Sequence, residues 1–204
     1  MEKFALFDFD KTITREDSIL TLLKYTFKKY PFQALFLSLR ILLALIHSFF
    51  ARDYVYLKNA VLKCYVLLKP EERDYFLKEI MPKMYYSDAL KEIKKRKEEG
   101  YTLYLVSASI EPYLIPLGKS LGFDYVFGTK FQDGKIMGLN HRSEEKVRRL
   151  KDFFLEKNIS FQREQSVAYS DSYLADRPML ELAEEKFLIN SSFEVEGYHN
   201  LTWN

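Results

Sequence analysis

Two aspartates, Asp8 and Asp10, follow the apolar run Phe4-Ala5-Leu6-Phe7 and precede Lys11-Thr12-Ile13-Thr14. The apolar run reads as a short strand buried on both faces. Along extended chain the two would point to opposite faces, so both can serve one site only if the strand ends here and the backbone turns. Acidic groups at the carboxyl end of a central parallel strand lie where open α/β sheets bind their ligands. An Asp-x-Asp pair alone fits equally well a strand followed by an Asx-type turn, so residues elsewhere decide. Ser107 ends a second apolar run, Asp171 ends a third with Asp176 five residues on, and Lys146 lies in the first turn of a helix opened by Ser143-Glu144-Glu145. In a parallel sheet such strand ends share one edge, which brings residues far apart in sequence together. Several carboxylates there repel one another unless a cation neutralises them, and oxygen ligands of this kind suit Mg²⁺. A hydroxyl beside backbone N–H groups at a helix start suits phosphate oxygens, and Lys146 adds a positive charge. The plainer alternatives are a helix cap for Ser107 or Asp171 and a surface lysine for Lys146.

The elements that must position these residues are legible in outline. Strands are expected at 4–7, 101–106, 125–127, 166–169 and 186–189, with a final short one near 201–203. Asp133-Gly134, at the centre of 130–139, is a hairpin signal. Helices are expected at 87–99 (stopped by Gly100), from Pro112 to 121, from 143 to 157, and after Asp176. Alternation of strand and helix predicts an α/β protein with a doubly wound parallel sheet covered on both faces. A minimal crossover needs about a dozen residues, yet more than ninety separate Asp8 from Tyr101, nearly all of helical pattern. The excess reads as a helical cap domain inserted after the first strand, residues 15–82, with 1–14 and 83–204 forming the core.

Within the insert, helices are expected from Asp17 or Ser18 to Phe27, over 32–50, over 54–68 and over 71–81. The second is very apolar, and its polar residues Gln33, Arg40 and His47 recur every seven positions on one narrow stripe. Its length approaches that of a membrane span. A central Arg40 opposes insertion by about 2.5–3.5 kcal/mol, so membrane or lipid contact is not the expectation. Burial inside the cap is, with the polar stripe facing a cleft.

Composition narrows the function classes. Hydrophobic residues at 48% support a real core, and a net charge of +2 argues against nucleic acid as a partner. The basic run Lys94-Lys95-Arg96-Lys97 reads as a solvated helix face. Lone Cys64 forms no internal disulfide, and only three residues precede the first strand, so a cytoplasmic location is expected. Oligomeric state is not legible.

Asp8-Phe9-Asp10-Lys11-Thr12 resembles the first motif, Asp-x-Asp-x-Thr, of the haloacid dehalogenase superfamily. Leu105-Val106-Ser107 is similar to its second motif, Lys146 in Glu144-Glu145-Lys146-Val147 to its third, and Ser170-Asp171 through Asp176 to its fourth. The insert after the first motif and the Leu-Gly-Phe-Asp run at 121–124 resemble the phosphoserine-phosphatase-like branch. The resemblance implies a Rossmann-like core and a Mg²⁺-dependent phosphatase acting on a small-molecule phosphate ester. By it, Asp8 would be the nucleophile and Asp10 the acid/base. Ser107, Lys146 and Thr12 would hold the phosphate. Asp8, Asp171 and the main-chain carbonyl of Asp10 would ligate the metal, supported by Asp176.

Departures from the branch bear on the substrate. Ala108-Ser109 stands where phosphoserine phosphatases place two glycines, and their substrate-binding arginine has no clear counterpart, with Arg40 and Arg52 candidates by composition only. Asp17 lies where those enzymes place the acid that reads the substrate amine. A different small or partly apolar phosphate ester is therefore expected. A phosphotransferase to an acceptor alcohol, a true phosphoserine phosphatase and a non-catalytic binding scaffold are the alternatives. Asp10 and the metal acids disfavour a dehalogenase.

Overall fold

The computed structural model describes residues 3–160 and 162–204. Strand β1 (Lys3–Phe7) leads into a loop and then a run of helices: α1 (Ser18–Lys29), α2 (Pro31–Ala51), α3 (Tyr54–Val61), α4 (Lys63–Leu67) and α5 (Pro70–Tyr75). A π-helical turn (Phe76–Ile80) and a 3₁₀ turn (Met81–Met84) follow. The chain continues with α6 (Ser87–Glu98), β2 (Tyr101–Ile110), α7 (Glu111–Ser120) and β3 (Tyr125–Thr129). A small hairpin, β4 (Phe131–Gln132) and β5 (Lys135–Ile136), precedes α8 (Glu144–Glu156), β6 (Ser166–Ser170), α9 (Tyr173–Leu180), β7 (Glu185–Ile189) and β8 (His199–Leu201).

Six strands form one sheet in the order β3-β2-β1-β6-β7-β8, every neighbouring pair parallel. This is the doubly wound α/β sheet expected from the sequence. Successive side chains of β1 alternate between two cores: Ala5 and Phe7 join one, Phe4 and Leu6 the other, and all four are inaccessible to solvent. That is why the run shows no polar alternation. The second core lies under α8 and α9 (Leu150, Phe154, Met179, Leu180). The first joins α6 and α7 to the helical insert through Leu22, Leu62, Phe76, Ile93 and Leu117. Each such side chain contributes about 1.5–3 kcal/mol by burial.

The insert is tied to the core by its two chain crossings. Thr14 bridges Tyr85 in antiparallel fashion, Arg15 N–H donates to the Met84 carbonyl at 2.7 Å and Tyr86 N–H to that of Ile13 at 2.9 Å. The Asp133-Gly134 turn has φ of +51° and +74°, the left-handed pair that a two-residue hairpin needs.

Five elements depart from expectation. The helix expected over 54–68 is broken at Leu62 into α3 and α4, and the one over 71–81 passes into π and 3₁₀ turns after Tyr75. β2 runs on through Ser107 to Ile110, with an irregularity in its pairing after Val106. α9 begins before Asp176, because the Ser172 hydroxyl accepts the Ala175 N–H and caps it. The largest departure is α2. Of its 21 residues only Leu37, Ala44 and Ser48 are buried, and most of its apolar side chains face outward rather than against the neighbouring helices.

Candidate active site

Register sets the site. Phe7 pairs with Leu105 of β2 and with Tyr169 of β6, so the residues just beyond each emerge along one edge. Asp8 is the first residue past β1, and its N–H extends the ladder to the Tyr169 carbonyl at 3.0 Å. The chain then reverses through Lys11, whose φ of +57° is left-handed and strained for a side chain other than glycine. The turn is held by Ile13 and Thr14 N–H groups on the Phe9 carbonyl (2.9 and 3.2 Å) and by Lys11 N–H on the Thr14 hydroxyl (3.1 Å). A rigid turn of this kind fixes both carboxylates.

Asp8 Oδ1 accepts from Lys146 Nζ at 2.7 Å, and Oδ2 accepts from the Thr12 hydroxyl at 3.3 Å. Lys146 is only 2% exposed and also meets Asp176 Oδ1 at 2.7 Å, while Asp176 Oδ2 accepts from the Ser170 hydroxyl at 2.8 Å. Burial opposes the lysine's charge, but Asp8 and Asp176 outweigh it and hold its pKa above the ordinary value. Burial pushes the Asp8 pKa well up; Lys146 opposes this, and Asp176 and Asp171 reinforce it. Asp171 is pushed up to about 6, first by burial and then by Asp176. Lys146, with Lys11 acting on Asp171, faces three carboxylates, and negative charge is in excess at the sheet edge.

Asp10 sits on the other side of the turn. Its Oδ1 accepts the Ser18 N–H at 2.6 Å, and Oδ2 accepts the Ser109 hydroxyl at 2.6 Å. Ser109 Oγ, Tyr113 OH and Ser18 Oγ lie within 2.9–3.0 Å of one another, so α1, β2 and α7 jointly orient this carboxylate. Gly128 is what lets β3 approach this segment: a Cβ there would lie 2.6 Å from the Ser109 carbonyl oxygen.

A cavity of about 450 Å³ opens above Asp10, floored by Asp10, Ala108 and Ser109 and walled by apolar residues of α1, α2 and α3. Asp17 and Lys58 supply its ionisable rim. Asp17 caps α1 by accepting the Ile19 N–H at 3.1 Å, and its pKa is raised by burial and then by Asp10. Lys58 donates to the Ala108 carbonyl (2.6 Å) and to Asn140 Oδ1 (2.7 Å), and burial pulls its pKa down to about 8.

Most of the motif residues converge, and three of the sequence expectations are corrected. Thr12 is fully buried, and its hydroxyl accepts the Asp171 N–H at 2.9 Å while donating to Asp8, so it ties two loops together instead of offering a hydroxyl to phosphate. Ser107 lies in extended chain four residues before α7, with its Oγ accepting the Ser109 N–H at 3.1 Å, and is not at the helix start. Arg40 and Gln33 line a separate groove with Lys63 and Val66, and the His47 ring packs tilted against that of Tyr56 with centroids 4.5 Å apart, so the polar stripe does not face the cavity over Asp10.

Sequence reasoning missed Ser18, Ser109, Tyr113 and Lys58. It also missed His141, which is fully buried and donates Nδ1–H to the Ser107 carbonyl at 2.9 Å. Burial, with Arg149 and Lys146 nearby, lowers the His141 pKa to about 4 and keeps it neutral. Only Ser109 carried a signal, as part of Ser107-Ala108-Ser109 at a strand end.

Mg²⁺ fits this donor set. Asp8 and Asp171 supply hard anionic oxygens in a site with excess negative charge, and the main-chain carbonyl of Asp10 is the further oxygen implied by the motif. Among the described residues no three His, Cys, Asp or Glu side chains cluster as a metal cage. Mg²⁺ does not require one, since it binds through one or two carboxylates, water and substrate phosphate.

A family model described as haloacid dehalogenase-like hydrolase matches residues 5–181. Protein CicA of Caulobacter vibrioides is 30% identical over 193 residues, covering 88% of this chain and 82% of CicA. Among solved structures, a Bordetella pertussis Tohama I protein of unknown function superposes with a TM-score of 0.82 at 19% identity, over 98% of both chains. A phosphoserine phosphatase captured as a phospho-aspartyl intermediate analogue superposes with a TM-score of 0.64 at 20% identity, over 93% of this chain and 87% of that one. At these identities the structural likenesses speak to the fold.

Proposed function

The chain belongs to the haloacid dehalogenase-like hydrolases, and from that premise we propose that it is a Mg²⁺-dependent phosphomonoesterase that forms an aspartyl-phosphate on Asp8. The observation that carries this is the bonding of Asp8 at the sheet edge. One carboxylate oxygen is held by buried Lys146 at 2.7 Å and the other by Thr12, with Asp10 independently oriented two residues on. A carboxylate fixed in this way can act as a nucleophile.

Asp8 attacks phosphorus and the alkoxide leaves, taking a proton from the Asp10 carboxyl. Asp10, now a carboxylate, removes a proton from water. The water oxygen attacks phosphorus, releasing inorganic phosphate and restoring Asp8. Lys146 spreads the charge of the transferring phosphoryl group, assisted by the Ser107 hydroxyl. Asp8, Asp171 and the Asp10 carbonyl would hold Mg²⁺, which supplies charge neutralisation and orientation of the phosphate. Lys58 and Asp17 meet the rest of the substrate, and the apolar walls of the cavity favour a partly apolar ester over phosphoserine.

Phosphate release from a panel of esters, p-nitrophenyl phosphate included, tests the reading: turnover with Mg²⁺ that is abolished by EDTA is expected. Full turnover in EDTA, or none with any ester, overturns it. Product analysis with added acceptor alcohols separates hydrolysis from phosphoryl transfer, which uses the same residues.

A further inference from the structure

A helix on the surface of a water-soluble protein turns its apolar stripe inward and its polar face outward. Helix α2 does the reverse. The residues it buries, Leu37, Ala44 and Ser48, lie on one face by their spacing, and two of the three are small or polar. The opposite half of the helix carries Phe32, Leu35, Leu39, Leu42, Ile46 and Phe49, all exposed, with Phe32 at 84% and Phe49 at 77%. Its only ionisable side chains, Arg40 and His47, are turned sideways against the groove at Lys63 and against Tyr56. With 21 residues, α2 is long and apolar enough to cross a membrane by length and composition.

We propose that α2 seats the cap on a lipid bilayer, and that the cavity over Asp10 takes the phosphate head of a membrane lipid. The second half rests on the phosphomonoesterase reading; the first does not.

Three features select a bilayer as the occupant. The exposed apolar arc covers about half the helix circumference over a length of about 30 Å, whereas a packed helix from a second copy covers a stripe nearer 100° wide. Phenylalanines crowd both ends (Phe32 and Phe36, Phe49 and Phe50), and basic groups lie just outside them: exposed Lys28 before α2, beside Lys29 that pairs with Glu72 at 3.4 Å, and Arg52 after it. Phenylalanine on the apolar face with basic groups beside it is the pattern of helices that lie in the headgroup interface of an anionic membrane. The apolar surface is also continuous with the site. Leu45 is half-exposed at the margin of the outer arc and lines the cavity beside Ile41, Leu23 and Leu57, whose floor is Asp10. A lipid phosphate can thus reach Asp10 from the interface while its hydrocarbon stays beside α2.

The test uses the full chain with Mg²⁺, vesicles of phosphatidylcholine with and without phosphatidylglycerol, and phosphatidic acid as the probe substrate. The wild-type protein should float with the vesicles, more strongly with phosphatidylglycerol present. Leu39→Glu with Ile46→Glu points two carboxylates outward. The double variant should lose vesicle partition and phosphatidic acid hydrolysis by about a hundredfold, with p-nitrophenyl phosphate turnover unchanged. That unchanged turnover shows the variant is folded. Wild-type protein that stays in the aqueous phase with both vesicle types overturns the docking. So does an α2-dependent dimer that the double variant dissociates, with no vesicle binding by either form. Vesicle binding and p-nitrophenyl phosphate turnover without release of phosphate from phosphatidic acid overturn the lipid-substrate half alone. Vesicle binding with no turnover of any ester overturns the phosphomonoesterase reading and leaves the docking standing.

Discussion

Replacing Lys146 by methionine tests the electrostatic frame of the site separately from catalysis. The lysine is 2% exposed, and its Nζ lies 2.7 Å from carboxylate oxygens of both Asp8 and Asp176. At that distance each contact is worth about 6 kcal/mol with an effective dielectric near 20, most of it offset by the cost of taking the charges out of water. Methionine has nearly the same length, so little cavity forms and the loss is mainly the missing charge. Breaking a buried pair by removing one partner costs about 3–5 kcal/mol. For a chain of this size that lowers Tm by about 6–20 °C. The sign with pH is fixed as well. Without the lysine, which opposes the burial-driven rise, the Asp8 carboxyl is held still further above its unfolded value. The penalty is therefore largest at neutral pH and shrinks as pH falls and the folded state takes up protons. Urea unfolding in EDTA at neutral and acidic pH, comparing wild type, Lys146→Met and Lys146→Met with Asp176→Asn, reads this out. The double variant should recover part of the loss. A difference below about 1 kcal/mol, or one independent of pH, would refute a charge-paired Lys146.

Further outcomes are expected of the same site. Asp10→Asn should lower kcat by about 10²–10⁴-fold while leaving the fold intact; wild-type turnover would remove Asp10 from acid/base duty. Ca²⁺ should inhibit in competition with Mg²⁺, because the larger ion accepts more oxygens and can engage both oxygens of Asp8; undiminished activity with Ca²⁺ alone would contradict the assigned ligands. Lys58 should lose its charge as pH rises through about 8, so KM for an anionic substrate should climb above that pH while kcat changes less. Lys58→Arg should carry the alkaline limb to higher pH, and an unmoved limb would exclude Lys58 as its origin.

Much of the core could be read from the sequence for a simple reason. A strand buried on both faces must be apolar throughout, as Phe4-Ala5-Leu6-Phe7 is, and the glycines and prolines that punctuate the helices act locally. The convergence of Asp8, Asp171 and Lys146 was legible because parallel topology brings strand ends, and the starts of the helices that follow them, to one edge. Ser18, Tyr113, Lys58 and His141 were not, since their roles come from packing between elements that no local pattern encodes. The breaks at Leu62 and after Tyr75 are likewise tertiary, set by how the insert wraps the first core. The outward turn of α2 is hidden from the sequence for another reason. When nearly every position is apolar, periodicity marks the polar stripe but does not say which remaining side meets protein.

Acid-quench trapping of the phosphoenzyme tests the central claim most directly. Asp10→Asn protein, in which hydrolysis of the intermediate is slowed, is mixed with Mg²⁺ and radiolabelled p-nitrophenyl phosphate, whose leaving group needs no proton from Asp10. It is then quenched in acid and reduced with borohydride, which converts an acyl phosphate on aspartate to homoserine. Peptide mapping should place label before reduction, and homoserine after it, at position 8 and nowhere else. Label on another residue, or turnover of the ester by wild-type protein with no acyl phosphate trapped in either protein, would contradict Asp8 as the nucleophile.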